Sequence, residues 1–192
     1  PYDLTLERHR LMWLYLKTTN FFEVKGLTVL HVAPEQCFHE KFKKQKNLKY
    51  TTADLESPIA DLHFDLHSIP LDDNLYDVIF CNHVMEHVKD DLQCMKELYR
   101  VMKPGGWGIF QVPIDYNNPE TYEDAQITSE KDREIHFWQK DHLRLYGLDY
   151  PKKLERAGFK INVFDPSKNL KEIDYDKLRL NPKELIFIAN KL

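Results

Sequence analysis

The stretch Thr28-Val29-Leu30-His31-Val32-Ala33-Pro34-Glu35-Gln36 decides how the fold is read. Its first residues are mostly apolar and favour extended backbone. Pro34-Glu35-Gln36 then opens a helix, since proline suits the first helical position and an acid suits the first turn. Strand, tight turn and helix start follow one another without a spacer. In doubly wound α/β folds this junction, at the carboxyl end of the first strand, is where a nucleotide-like cofactor is held. The glycine-rich loop that belongs there is absent.

Upstream, Leu4, Leu11, Leu14, Tyr15 and Phe22 recur near the helical period, with Glu7, Arg8, Arg10 and Lys17 between them. This predicts an amphipathic lead-in helix within residues 1–26. Downstream, residues 35–46 carry Phe38 and Phe42 at i, i+4, which suits a helix packed on a sheet. Lys41, Lys43, Lys44 and Lys46 read as its solvated face rather than as a phosphate site.

Further strands are expected over 48–53, ending at Asp54, over 61–64, ending at Asp65, and over 76–81. Consecutive apolar residues in Val78-Ile79-Phe80-Cys81 suggest a strand covered on both faces. Asp90 or Asp91 caps a helix whose Leu92, Met95, Tyr99 and Met102 form one face, and Lys103-Pro104-Gly105-Gly106 should stop it before a fifth strand over 107–112.

Residues 115–145 are polar and aromatic with no clean period, and read as an inserted segment covering the site, with a short helix. A helix over 150–157 ends at Gly158, and strands over 159–164 and 184–189 close the chain. Strands alternating with helices imply an α/β doubly wound, mostly parallel sheet, and the closing pair allows one antiparallel strand. No repeat or low-complexity linker divides the sequence, so residues 1–192 read as a single domain.

With 42% hydrophobic and 30% charged residues, the 192-residue chain can bury the core of a globular domain. Its 27 basic and 31 acidic side chains give a net charge of −4, which lacks the footprint of a nucleic-acid binder. Cys37, Cys81 and Cys94 are odd in number and lack C-x-x-C spacing, as expected of reduced thiols in a cytoplasmic protein. No apolar run approaches the roughly 18 residues of a membrane span, and no secretory or transit pattern opens the sequence. The first residue is Pro1 rather than Met, which suggests that sequence precedes it.

Side chains at the carboxyl ends of the strands line the ligand crevice of such a sheet, here His31 to Glu35, Asp54, Asp65, Asn82-His83 and Asp115. Asp54 lies about 20 residues past the first turn, where an acid accepts hydrogen bonds from both hydroxyls of a ribose. An ordinary strand-end turn acid has the same spacing. Asp65 is placed to accept from an adenine amino group, with the same alternative.

Tyr76-Asp77-Val78-Ile79-Phe80-Cys81-Asn82-His83-Val84-Met85-Glu86-His87-Val88, followed by Leu98-Tyr99-Arg100-Val101-Met102-Lys103-Pro104-Gly105-Gly106, resembles the Rossmann-like methyltransferases that use S-adenosylmethionine. Within them it is similar to the type 11 group, with its fourth strand, its "EHV" segment and its "L-x-R-V-L-K-P-G-G" run. Asp141-His142-Leu143-Arg144-Leu145-Tyr146-Gly147 and Ala157-Gly158-Phe159 are similar to later segments of the group. The resemblance implies seven strands, the last antiparallel, and S-adenosyl-L-methionine at the ends of the first and fourth. It implies cofactor contacts from His31, Ala33, Pro34, Glu35, Asp54, Leu55, Asp65, Leu66, Asn82 and His83.

The opening turn departs from the group's pattern of an acid, one residue, then G-x-G-x-G. His31 stands for the acid, and Ala33, Glu35 and Cys37 stand for the glycines. A dinucleotide needs bare backbone amides and a positive helix end for its pyrophosphate, so side chains and a negative Glu35 argue against NAD or FAD. S-adenosylmethionine presents an ammonium instead, which Glu35 or a nearby carbonyl can hold. Ala33 needs no positive φ if the turn is slightly wider than the glycine version.

His83-Val84-Met85-Glu86-His87 also matches H-x-x-E-H, which on a helix places two histidines on one face as zinc ligands. Because the segment follows a buried strand and its flanks fit the methyltransferase pattern, no metal is expected, and a metal-dependent hydrolase ranks below the other readings. His63 and His67 flank Asp65 as one strand-end and one loop histidine. Methyl transfer needs proximity, orientation and sometimes a base. His83, His142 and Asp115 are the candidates for that work, with Arg144 and Tyr116 beside them. The expected function is methyl transfer to a small-molecule acceptor, and the alternative is a non-catalytic module of the same fold.

Overall fold

The structure is a computed structural model that describes residues 5–192. Leu4, expected on the apolar face of the first helix, lies outside the described residues. Helix α1 (Glu7–Thr18) buries Leu11, Met12 and Leu16. Strand β1 (Leu27–Val32) leads through the Ala33-Pro34-Glu35 turn into α2 (Gln36–Lys43), followed by β2 (Leu48–Asp54), β3 (Leu62–His63) and β4 (Tyr76–Cys81). Helix α3 (Asp91–Val101) starts at Asp90, whose carboxylate accepts the Gln93 N–H at 2.9 Å.

Strand β5 (Met102–Ile109) begins earlier than the expected residue 107. Lys103-Pro104-Gly105-Gly106 ends the helix but then forms an irregular strand entry, with a register shift against β4 between Tyr76 and Val78. Gly105 takes φ +78°, and a Cβ on Gly106 would lie 2.8 Å from the Lys103 carbonyl oxygen and 2.9 Å from that of Asp77. The run therefore both stops the helix and bends the chain directly into the sheet.

The segment over 115–145 holds β6 (Tyr122–Glu123), α4 (Glu130–Phe137) and β7 (Arg144–Leu145), with β6 and β7 antiparallel. Helix α5 (Tyr150–Arg156), β8 (Lys160–Phe164), the short α6 (Pro166–Asn169) and α7 (Tyr175–Leu178), and β9 (Ile186–Asn190) complete the chain. The main sheet has seven strands in the order β3-β2-β1-β4-β5-β9-β8. Only β9 runs against its neighbours β5 and β8, as the resemblance implies.

Alternation along the central strands builds two cores. Val29, Val78 and Phe80 face α1 and α2, where Phe38 and Phe42 stack with ring centroids 5.3 Å apart. Leu30, Val32, Ile79 and Cys81 face the opposite way, into a core with Met95, Leu98 and Leu154 from α3 and α5. Cys81 and Cys94 are buried free thiols. No helix among the described residues is long and apolar enough to cross a membrane.

Arg144 ties the inserted segment to the sheet. It is 1% exposed. Its guanidinium donates to the carbonyls of Met85 at 2.7 Å, Val88 at 2.6 Å and Lys89 at 2.9 Å, and grips both carboxylate oxygens of Glu123 at 2.9 and 3.1 Å. These bonds use every N–H an arginine has. The Tyr146 hydroxyl adds a bond to Asp91 at 2.8 Å, and Lys153 a second at 2.9 Å. Arg144 was expected near the site pocket. Instead it lies behind the 85–89 turn and fixes its shape. Replacing it strands buried carbonyls, so Arg144→Leu should lose about 3–5 kcal/mol in urea unfolding, and Arg144→Lys, without the planar fork, should recover little of it.

Candidate active site

The carboxyl edge of the sheet carries a continuous chain of buried and part-buried polar side chains. Tyr50 on β2 lies 2.8 Å from His31 Nδ1, and His31 Nε2 meets the Glu35 carboxylate. The other Glu35 oxygen accepts from Asn82 Nδ2 at 3.0 Å, and Asn82 Oδ1 accepts the Gln111 N–H at 3.2 Å. Burial pushes the Tyr50 phenol well above its ordinary value, so it stays protonated and can donate to Nδ1 while Nε2–H donates to Glu35. Four adjacent strands are thus linked across the turn.

Burial would raise the Glu35 carboxyl, but the bond and charge of His31 and the bond from Asn82 outweigh it and hold it down at about 2. His31 is fully buried and Asn82 is 4% exposed, so both side chains serve the turn from beneath. Ala33 adopts φ +48°, and the expectation of a wider turn with negative φ is corrected. The turn keeps the tight path of its glycine counterpart because the Ala33 N–H is tied to the Ala53 carbonyl at 2.8 Å and Glu35 is anchored on both sides.

Beside the turn, Asp54 Oδ1 accepts the N–H groups of Glu56 at 2.9 Å and Ser57 at 2.8 Å, while Oδ2 has no partner among the described residues. Leu55 next to it is 62% exposed. Asp65 Oδ1 accepts from the His67 backbone N–H at 2.9 Å and lies 2.6 Å from His67 Nδ1. His67 Nε2 accepts the Asp90 N–H at 3.1 Å, so the ring joins Asp65 to the cap of α3. Leu66 is buried below. His63 is exposed and bonds the Ser57 carbonyl, so the two histidines form no cluster.

A cavity of about 480 Å³ opens at the ends of β4 and β5. His83, Glu86 and His87 form one wall, and Trp138, Gln139 and His142 of the inserted segment form another. Arg8, Tyr116 and Glu184 also reach it. Burial raises the Glu184 carboxyl above its ordinary value and lowers His142 below its own. His142 is 1% exposed, and its Nδ1 lies 2.8 Å from the Phe137 carbonyl. His83 sits at φ +55°, with Nδ1 3.3 Å from Glu86.

Of the candidate catalytic residues, His83 and His142 meet in this cavity. Asp115 does not line it; its oxygens accept from Asn117 and Asn118 in a local turn. Glu86 and His87 do line it, through a turn rather than the helix that H-x-x-E-H requires. The zinc-peptidase geometry is therefore absent, since His83 and His87 do not share a helix face.

The family model described as "Methyltransferase domain", of the type 11 group, matches residues 15–110. The chain belongs to this methyltransferase family. Solved structures described as S-adenosylmethionine-dependent methyltransferases share its fold. A methyltransferase of this kind from Archaeoglobus fulgidus superposes with a TM-score of 0.59 at 15% identity, covering 97% of this chain and 95% of its own. The [4+2]-cyclase SpnF gives 0.65 at 17% identity over 95% and 80%. Demethylmenaquinone methyltransferase of Staphylococcus epidermidis is 41% identical over 58 residues, 30% of this chain and 24% of that protein. The match thus spans about a quarter of that relative's length.

Because the folded Glu35 carboxyl lies below its ordinary 4.5, its stabilisation is complete at neutral pH and lost as pH falls from about 5 towards 2. Urea unfolding of native protein and Glu35→Gln should differ by on the order of 3 kcal/mol at pH 7, and the gap should close as pH drops through that window.

Proposed function

We propose that the chain is an active methyltransferase that moves the methyl group of S-adenosylmethionine to a small-molecule acceptor in the cavity. The observation that carries this reading is the junction at Asn82-His83. Asn82 bonds Glu35 of the cofactor turn, and the next residue lines the cavity. Donor site and acceptor site therefore meet across one peptide bond. The cavity volume of about 480 Å³ falls within the range of small-ligand pockets.

The crevice suits this cofactor by the chemistry of its groups. Asp54 keeps a free oxygen for ribose hydroxyls, exposed Leu55 offers an apolar face to an adenine, and Asp65 keeps its second oxygen for the amino group. Leu66 packs beneath. Ala33, Pro34 and Glu35 would border the amino-acid end, with the Glu35 charge favouring an ammonium although both its oxygens already have partners. His31 and Asn82 act through Glu35.

When bound, the cofactor supplies an electrophilic methyl group, and the protein's task is to hold an acceptor in line with it. His83 and His142 face the acceptor and orient it. The 115–145 segment acts as a lid whose Trp138, Gln139 and His142 exclude water, while Asp115 holds the local turn in which the segment begins.

Calorimetric titration with S-adenosylmethionine and S-adenosylhomocysteine tests the reading. One site for each is expected, weakened by about 1–3 kcal/mol in Asp54→Ala. No binding of either to the native chain would instead leave a non-catalytic module of the same fold.

A further inference from the structure

Glu86 is 1% exposed, and its Oε2 has no hydrogen-bond partner among the described residues. A buried carboxylate left half unpaired is costly unless a cation faces it. His83 Nε2, on the same cavity wall, is also buried and has no partner among the described residues. Around them, Glu86, His87 and His142 each present one ligand atom, all within 4.8 Å of one another. Two imidazoles and one carboxylate on one wall of a cavity form a donor set for a divalent transition metal with open positions.

The groups behind these side chains point the same way. His142 Nδ1 lies 2.8 Å from the Phe137 carbonyl, and His87 Nδ1 lies 3.3 Å from the Asp141 carboxylate. An imidazole whose Nδ1–H is held by a carbonyl or carboxylate keeps its Nε2 lone pair for a metal. The turn carrying Glu86 and His87 is pinned by Arg144 through the carbonyls of Met85, Val88 and Lys89, and the Leu143 N–H donates to the Glu86 carbonyl at 2.8 Å. His142 therefore sits at a fixed distance from the other two. Zinc ligands in a tetrahedral set lie about 3.4 Å apart, so a shift of about an ångström, on the scale of a side-chain rotation, closes the site.

We propose that Glu86, His87 and His142 bind one divalent transition metal ion in the cavity, leaving a coordination position open beside His83. Metal binding itself stands apart from the methyltransferase reading. Its consequence for substrate class rests on that reading: the acceptor would carry an oxygen, a hydroxyl or carboxylate, that enters the open coordination position. Such a ligand would be oriented by the metal, and a hydroxyl would lose its proton more readily there. The H-x-x-E-H signature thus has a chemical use, with His142 of the inserted segment in place of a helical partner.

The full chain, stripped with a chelator, should be titrated with Zn²⁺ by calorimetry and with Co²⁺ by visible absorption. One equivalent of each is expected to bind with a dissociation constant on the order of micromolar or tighter, with Co²⁺ developing d–d bands. Half-exposed His87→Ala and the isosteric Glu86→Gln should each weaken Zn²⁺ by about 100-fold. Asp141→Asn, behind His87, should weaken it by about 10-fold. No saturable binding up to millimolar Zn²⁺ would overturn the proposal, as would unchanged affinity in both His87→Ala and Glu86→Gln. Loss of S-adenosylmethionine binding with metal binding intact would strike only the methyltransferase reading.

Discussion

A largely enclosed carboxylate, 15% exposed, between two fixed partners sets the shape of the site. Glu35 joins His31 beneath β1 to Asn82 at the end of β4, and through Tyr50 and Gln111 the chain of bonds reaches β2 and β5. In so little water, each of these groups must keep its partner or bear its desolvation. The turn between β1 and α2 therefore has little freedom to open. That restraint lets Ala33 hold φ +48° where a glycine would do so without strain. A tight turn made elsewhere by backbone freedom is made here by side-chain bonds.

Arg144 supplies the corresponding restraint on the cavity side. By binding three carbonyls of the 85–89 turn and the Glu123 carboxylate, it makes the inserted segment and the end of β4 one unit. That link, together with the Leu143 N–H on the Glu86 carbonyl, holds His142 beside Glu86 although the two are far apart in sequence. The two networks meet at Asn82-His83, so the Ala33–Glu35 turn and the cavity share a common frame.

Much of the fold was legible because its signals are local. Tyr76–Cys81 reads as a buried strand from its apolar run alone, and the structure assigns the same bounds. The cap at Asp90 and the stop at Lys103-Pro104-Gly105-Gly106 are chemistry of adjacent residues, though that run also lies inside β5, where Gly106 packs close to the Asp77 carbonyl. The site was less legible because its geometry is made by distant pairs. Nothing near Glu35 announces that Asn82 will occupy one of its oxygens. Nothing near Arg144 announces three carbonyl acceptors nearly sixty residues upstream. Asp115 follows β5 as expected, yet neighbouring asparagines turn its carboxylate from the cavity. Glu86 and His87 were visible as a motif, but their partner His142 could be found only once the inserted segment was placed.

A crystal structure of the full chain with S-adenosylhomocysteine tests this account most directly. The His31–Glu35–Asn82 bonds should remain intact, with the amino-acid end of the ligand at the Ala33–Glu35 turn, its ribose on Asp54, and its sulfur facing the cavity at His83. A ligand bound elsewhere, or a turn that must open and release Glu35 from Asn82 to admit it, would contradict the claim that these side-chain bonds build a working cofactor site without glycines.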